Sequence, residues 1–128
     1  MKALVIDDAR CVRSVSRKIL TGLGYEVSEA KNGQEALTYL KAHPDVALAV
    51  IDWNMPVMNG LQLVQAVHAD PELSAVRMMM VTTEIEMAQM ARALEAGAHE
   101  YLMKPFTKSA MRAKLEIMGL PSDPEVAA

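Results

Sequence analysis

The sequence lacks the features that mark secreted, membrane-inserted or nucleic-acid-binding proteins. Its 128 residues include one cysteine, Cys11, which has no partner for a disulfide within the chain. Its apolar stretches, such as residues 46–51, are far shorter than the roughly 20 residues of a membrane-spanning helix. The amino terminus becomes polar at Asp7, too early for the apolar region of a signal peptide. We therefore expect a cytoplasmic protein with no segment inserted in a membrane.

A basic cluster is also missing. The formal net charge is -3 and no block of lysine and arginine stands out, whereas contact with nucleic-acid phosphates needs a basic surface. We therefore expect no direct nucleic-acid ligand.

Length and composition predict one domain, over residues 1–119. Apolar residues make up 52% of the chain and charged residues 23%, a balance typical of globular proteins. Residues 120–128 contain two prolines and no hydrophobic periodicity, so we expect a loosely ordered tail. No linker or low-complexity segment is present, so we expect no attached effector domain.

Five short apolar segments alternate with five amphipathic ones. Strands are predicted at residues 3–6, 25–30, 46–51, 78–81 and 101–103, and a helical pattern follows each. Asn32 begins the second helix, Asp70 follows the third, the fourth spans residues 85–96, and Thr107 caps the last. This alternation predicts an α/β fold: a doubly wound, five-stranded parallel sheet with helices on both faces.

Polar groups follow four of the five predicted strands. The first strand ends in Asp7 and Asp8, the third in Asp52, the fourth in Thr82 and the fifth in Lys104. Ligands of open parallel sheets bind beyond the carboxyl ends of the strands. If these four strands are neighbours, their ends lie about 5 Å apart and the side chains form one site.

The predicted site has the chemistry of phosphoryl transfer to a carboxylate. Three adjacent carboxylates repel one another unless they share a cation, and an all-oxygen set suits Mg²⁺. Mg²⁺ leaves room for a phosphoryl group beside Lys104, whose ammonium would neutralise phosphate charge. A carboxylate can attack phosphorus and form an aspartyl phosphate.

Each of these residues has a simpler interpretation when it is taken alone. An aspartate after a strand is usually a turn former or helix cap, and this is how we interpret Asp45 and Asp70. Thr82 alone indicates a strand residue, and Lys104 alone a surface lysine. His43, His68 and His99 lack metal-ligand spacing, so we assign them no function. Only the predicted convergence of these side chains at neighbouring strand ends favours a functional site.

Four ordered motifs connect the chain with a known family. They are VIDD at residues 5–8, VIDWNMPVMNG at 50–60, MVTT at 80–83 and YLMKPF at 101–106. On these motifs the sequence resembles the receiver domains of two-component response regulators over residues 1–119, and most of all the single-domain chemotaxis type. The resemblance implies a flavodoxin-like sheet of strand order 2-1-3-4-5.

The resemblance also implies how the site is used. Asp52 would be the phosphoacceptor, and Mg²⁺, with Mn²⁺ as an alternative, would be held by Asp8, Asp52 and the backbone carbonyl of Asn54. Asp7 would act through a metal-bound water. Lys104 would hold a phosphoryl oxygen, and its peptide bond to Pro105 would be cis.

In the family, phosphorylation changes a surface elsewhere on the domain. The resemblance implies that Thr82 turns its hydroxyl toward the phosphoryl group, that Tyr101 moves inward, and that the face of the fourth helix, fifth strand and fifth helix changes shape. Thr83 occupies a position where alanine is common, so access to the phosphate would be narrower. Asn54 and Glu84 would tune the lifetime of the phosphoryl group.

Methionine is abundant, with 11 in the chain. Met87, Met90 and Met111 map to the implied output face, where adaptable side chains suit a partner. The alternative is that helical methionines pack inward. Met78, Met79, Met80 and Met103 are predicted to be core residues.

The implied partners are a histidine kinase or histidine phosphotransfer domain as donor, and a downstream protein target on the output face. We expect no enzyme activity beyond self-phosphorylation and self-dephosphorylation. The other functions considered are a phosphorelay intermediate, a scaffold that works unphosphorylated, and a phosphotransferase or phosphatase of the haloacid dehalogenase type. The last carries Asp-x-Asp at one strand end, which neither Asp7-Asp8 nor Asp52-Trp53-Asn54 matches.

Overall fold

Five parallel strands alternate with five helices in the protein. A computed structural model describes residues 1–83 and 88–122. The strands are β1 (Lys2–Ile6), β2 (Glu26–Ala30), β3 (Leu48–Asp52), β4 (Arg77–Thr82) and β5 (Glu100–Met103). The helices are α1 (Arg10–Gly22), α2 (Gly33–Ala42), α3 (Gly60–His68), α4 (Met90–Ala96) and α5 (Lys108–Ile117), and a 3-10 turn lies at Pro71–Leu73. The sheet order is β2-β1-β3-β4-β5, so the predicted fold class and strand order are confirmed.

The central strand β3 positions the site. All five of its residues are buried, and it pairs with β1 on one side and β4 on the other. Ile6 lies opposite Ile51, and Asp52 lies opposite Val81, so the carboxyl ends of the three strands meet at one edge. The strand begins at Leu48 rather than at residue 46, because the backbone N–H of Val46 donates to the His43 carbonyl in a turn.

Side chains alternate between two cores, one on each face of the sheet. Met78 and Met80 pack into the core covered by α2, α3 and α4, whereas Met79 packs into the core covered by α1 and α5. These three methionines are buried, as predicted. The prediction is wrong for Met103, which is 40% exposed at the end of the edge strand β5.

Side-chain caps begin α2 and α5 where the sequence indicated. Asn32 Oδ1 accepts from the Glu35 N–H at 2.8 Å, and Thr107 Oγ1 accepts from the Ala110 N–H at 3.1 Å. Asp70 caps the 3-10 turn that follows α3, because its side chain accepts from the Glu72 N–H. α4 begins at Met90 in the described part, and the predicted first turn at residues 85–87 lies outside it.

The carboxyl-terminal segment is anchored at its start. The Tyr25 hydroxyl donates to the Pro121 carbonyl at 2.6 Å, Leu120 packs against the α1 and α5 core, and Ser122 is buried. Burial raises the pKa of Tyr25 to about 12, so this donor keeps its proton. The predicted loose tail is therefore wrong for residues 120–122, and residues 123–128 lie outside the described range.

No helix in the described residues has the length and apolar character needed to cross a membrane.

Candidate functional site

Three carboxylates and one ammonium converge at the carboxyl edge of the sheet. Carboxylate oxygens of Asp7, Asp8 and Asp52 lie within 4.8 Å of one another. Lys104 Nζ donates to Asp52 Oδ1 at 2.7 Å and lies 3.5 Å from Asp7 Oδ2. The Lys104-Pro105 peptide bond is cis, as the resemblance implied. The convergence predicted from the strand ends is thus present.

Three hydrogen bonds fix the position of Asp7. Its N–H donates to the Ala30 carbonyl of the neighbouring strand at 3.1 Å, and its carboxylate Oδ1 accepts from the Ala9 N–H at 2.9 Å. Its own carbonyl accepts from Arg13 Nη1 at 2.7 Å. Asp7 is buried, whereas Asp8 is exposed, so the pair offers one sheltered and one open carboxylate.

Gly60 allows α3 to begin close behind Asp52. A Cβ at this position would lie 2.5 Å from the Asp52 carbonyl oxygen and 3.1 Å from the Trp53 Cα. The Gly60 N–H donates to the Trp53 carbonyl at 3.0 Å, which closes the loop of residues 53–59. Asn59 then caps α3 through a reciprocal pair of hydrogen bonds with Gln62. The glycine in the sequence motif therefore has a packing reason.

Lys104 opposes the effects of burial and of the neighbouring carboxylates on the pKa of Asp52. Burial raises the pKa of Asp52, and the charges of Asp7 and Asp8 add to the rise, while the hydrogen bond from Lys104 opposes it. For Lys104 burial lowers the pKa, but the contacts with Asp52 and Asp7 outweigh it, so the pKa is raised and the side chain stays cationic at neutral pH. One ammonium therefore faces three acidic groups.

This donor set fits a hard divalent cation. It consists of carboxylate oxygens only, it carries more negative than positive charge, and its oxygens are close enough together for one ion to contact several. Asp8 and Asp52 would hold such an ion directly, with the Asp7 carboxylate beside it. Asn54, two residues beyond Asp52, is exposed in the adjoining loop, and its carbonyl stays a predicted ligand.

Thr82 lies at the same edge of the sheet. It is fully buried at the end of β4, one residue beyond Val81, which lies opposite Asp52. Its hydroxyl donates to the Thr83 carbonyl at 3.2 Å, and its own carbonyl accepts from the Lys104 N–H at 2.7 Å. Thr83, predicted to narrow access to the phosphate, is half-buried.

Tyr101 contacts a lysine that sequence reasoning missed. The Lys114 ammonium lies 4.4 Å from the Tyr101 ring centroid and 3.0 Å from Glu100 Oε1, which also accepts from the Tyr101 N–H. Tyr101 is half-buried. Nothing in the sequence marks Lys114, because the contact joins β5 to α5 and the chain has many similar lysines.

Two of the methionines assigned to the partner face are buried. Met90 is 3% exposed and Met111 is 0% exposed, so the partner-surface interpretation is wrong for both in this conformation. The reason is their helical position: Met111 and Leu115 share the face of α5 that packs on the sheet. Met87 and Glu84 lie outside the described residues.

Comparison with known proteins agrees with the geometry. Residues 3–116 match the family model of the response regulator receiver domain. The chain is 44% identical over 119 residues to chemotaxis protein CheY1 of Helicobacter pylori, covering 92% of this chain and 96% of that protein. It is 44% identical over 117 residues to the chemotaxis protein CheY homolog of Campylobacter jejuni, covering 91% and 90%.

Comparison with a solved structure shows that the fold is shared as well. Chemotaxis protein CheY4 of Vibrio cholerae superposes with a TM-score of 0.82 at 31% identity, covering 91% of this chain and 96% of that one. Family model, relatives and fold agree, and the chain belongs to the response regulator receiver domain family.

Proposed function

We propose that this receiver accepts a phosphoryl group on Asp52 from a phosphohistidine, in a Mg²⁺-dependent reaction, and then changes its binding of a protein partner. The observation that carries the proposal is the buried Asp52 carboxylate beside Asp7, Asp8 and the Lys104 ammonium. The donor would be a histidine kinase or a histidine phosphotransfer domain.

The transfer step follows from the residues present. An Asp52 carboxylate oxygen attacks the phosphorus, a new O–P bond forms, and the P–N bond of the phosphohistidine breaks. The bonding electron pair goes to the imidazole nitrogen of the donor, and one proton taken up from solvent leaves that ring neutral. Lys104 leaves its contact with Asp52 and pairs with a phosphoryl oxygen, so the positive charge stays in the site.

The metal-binding residues would place a cation next to the negative charge of the phosphoryl group. Mg²⁺ would neutralise negative charge on the phosphoryl oxygens. Asp8, Asp52 and the Asn54 carbonyl would hold it, and Asp7 would orient its water. The three carboxylates suit the ion by their proximity.

The response would pass through Thr82 and Tyr101. The Thr82 hydroxyl would leave the Thr83 carbonyl and contact the phosphoryl group, and Tyr101 would turn inward. The surface of α4, β5 and α5 would then bind a downstream protein. Because the Helicobacter pylori and Campylobacter jejuni relatives are named as chemotaxis proteins and match this chain over most of their length, we propose a chemotaxis role as a single-domain cytoplasmic regulator.

The phosphorylated protein would return to its unphosphorylated state by hydrolysing its own aspartyl phosphate. Aspartyl phosphates hydrolyse readily, and Asn54 and Glu84 would set the rate at which water reaches the phosphorus. The protein would therefore catalyse its own phosphorylation and dephosphorylation and act on no other substrate. A phosphorelay intermediate would instead pass the group back to a histidine, and a scaffold would work without phosphate.

Phosphoramidate tests the reaction directly, because it contains the same P–N bond as phosphohistidine. The protein is incubated with it in Mg²⁺ or in excess chelator, and the intact mass is measured over time. We expect one added phosphoryl group in Mg²⁺ only, and a rate about a hundredfold lower for Lys104→Met. Lys108→Met, which removes an exposed lysine at the start of α5, is the matched control and should react like wild type. Metal-independent phosphorylation, or equal rates for the two variants, would contradict the proposal.

A further inference from the structure

We propose that Arg13 is a positioning residue that fixes the Asp7-Asp8 corner for metal binding. It would touch neither the metal nor the phosphoryl group. This role rests on the metal site of the proposed function and adds to it a residue outside the ligand set.

Arg13 connects α1, β1 and β2 at the edge of the site. Its Nη1 donates to the Asp7 carbonyl at 2.7 Å, and its Nε donates to Glu29 Oε1 at 3.1 Å. The Arg13 side chain is only 16% exposed, so these contacts are sheltered from solvent. Glu29 thus holds the guanidinium in the orientation that reaches Asp7.

The bond to the Asp7 carbonyl matters because of where that carbonyl lies. It belongs to the peptide group that joins Asp7 to Asp8, the two carboxylates contributed by the end of β1. The Ala30 carbonyl accepts from the Asp7 N–H, so the backbone of Asp7 is held on both sides. Releasing the carbonyl would let this peptide rotate and would move the Asp8 side chain relative to Asp52.

The charge of Arg13 and its positioning role predict opposite changes in Mg²⁺ affinity when Arg13 is removed. A positive charge near three carboxylates repels a cation, so charge alone predicts tighter Mg²⁺ binding once Arg13 is removed. Positioning predicts weaker binding, because the ligands must be reordered when the metal binds. The Glu29 carboxylate compensates part of the arginine charge, so we expect the loss of position to decide the result.

Arg17 provides a matched control. Its Nη1 donates to the other oxygen of the same carboxylate, Glu29 Oε2, at 2.8 Å, and its side chain is 53% exposed. Hydrogen bonds from Arg17 and Arg13 together lower the pKa of Glu29, against the effect of burial. Replacing Arg17 therefore removes a cation and an ion pair with Glu29 while leaving the Arg13 bond to Asp7 in place.

The test is a Mg²⁺ titration followed by tryptophan fluorescence. Trp53 is the only tryptophan of the chain, follows Asp52 directly and is 8% exposed, so its emission reports on the site. We expect Arg13→Met to raise the Mg²⁺ dissociation constant about tenfold, with the same fluorescence at saturation. Arg13→Lys should restore part of the affinity, and Arg17→Met should stay within about twofold of wild type.

Several outcomes would overturn this role. They are unchanged or tighter Mg²⁺ binding by Arg13→Met, an equal loss in Arg17→Met, and no recovery in Arg13→Lys. If Arg13→Met does not fold, as judged by urea unfolding, then Glu29→Gln must raise the dissociation constant, and an unchanged value overturns the role. Wild type that shows no Mg²⁺ response in fluorescence or calorimetry would overturn the metal site itself, which separates that failure from a failure of Arg13 alone.

Discussion

Lys104 Nζ lies 2.7 Å from Asp52 Oδ1, which joins the end of the edge strand β5 to the end of the central strand β3. The backbone N–H of the same lysine donates to the Thr82 carbonyl at 2.7 Å. A negatively charged oxygen bound near Asp52 competes for this ammonium. Lys104 therefore connects the Asp52 carboxylate, through its side chain, with the strand that carries Thr82, through its backbone.

Thr82→Ala should uncouple phosphorylation from the conformational response. The variant keeps Asp52, Lys104 and the carboxylates, so Asp52 should still gain a phosphoryl group by intact mass. The hydroxyl that would contact this group is missing, so Tyr101 should keep its unphosphorylated position. Normal binding of a downstream partner by the phosphorylated variant would refute this prediction.

Lys114 gives a readout of Tyr101 that needs no partner. Its ammonium lies over the Tyr101 ring, so the ring current shifts the NMR signals of the neighbouring methylene protons. We expect phosphorylation to remove this shift in wild type and in Thr82→Ser, which keeps the hydroxyl, and to leave it unchanged in Thr82→Ala. The same response in Ala and Ser variants would show that the hydroxyl has no part in it.

Gly60→Ala should damage both stability and the site. The new Cβ would meet the Asp52 carbonyl oxygen at 2.5 Å, and this backbone cannot move without displacing the proposed phosphoacceptor. We expect a loss of about 1–3 kcal/mol in the free energy of unfolding, measured in urea, and slower phosphorylation of the folded fraction.

Gly22→Ala is the matched control for this substitution. A Cβ there would lie 3.3 Å from Lys108 Nζ, the end of a flexible side chain that can move aside. Alanine is also the better helix former, so we expect unchanged or slightly higher stability and normal phosphorylation. An equal loss of stability in the two variants would mean that the contact with Asp52 has no special cost.

His99 should make stability depend on pH. The Met78 N–H donates to His99 Nδ1 at 2.9 Å, and burial, Arg77 and His68 lower the pKa of the ring. A lowered pKa means that the unfolded chain binds the proton more tightly. The contribution to stability is therefore complete above the ordinary histidine pKa of about 6.5 and is lost as the pH falls below it.

His99→Asn tests this assignment, because asparagine can accept the Met78 N–H bond and does not titrate. Urea midpoints measured between about pH 8 and about pH 5 should fall less for the variant than for wild type. The other histidines and the carboxylates are common to both proteins, so their contribution cancels in the comparison. Parallel curves would assign the acid loss to those groups.

The sequence predicted which side chains converge at the edge of the sheet better than it predicted the contacts that hold the surrounding structure in place. Strand periodicity locates the ends of the strands in the sequence, and a parallel sheet brings those ends together at one edge. The polar residues at these ends are Asp7, Asp8, Asp52, Thr82 and Lys104. Caps at Asn32 and Thr107 were equally predictable, because they depend on neighbouring residues alone.

The errors have physical reasons of two kinds. Methionine suits both a core and a partner surface, so composition could not place Met111, although its spacing of four residues from Leu115 indicates a shared buried face. Contacts to backbone carbonyls leave no trace in residue identity, which is why the Arg13 bond to Asp7 and the Tyr25 bond to Pro121 were missed.

The most direct test of the central claim is the intact mass of wild type and Asp52→Asn after incubation with Mg²⁺ and a small phosphodonor. The substitution keeps the size of the side chain and removes the attacking carboxylate. We predict that wild type gains one phosphoryl group and that Asp52→Asn gains none. Equal phosphorylation of the two proteins would contradict the account.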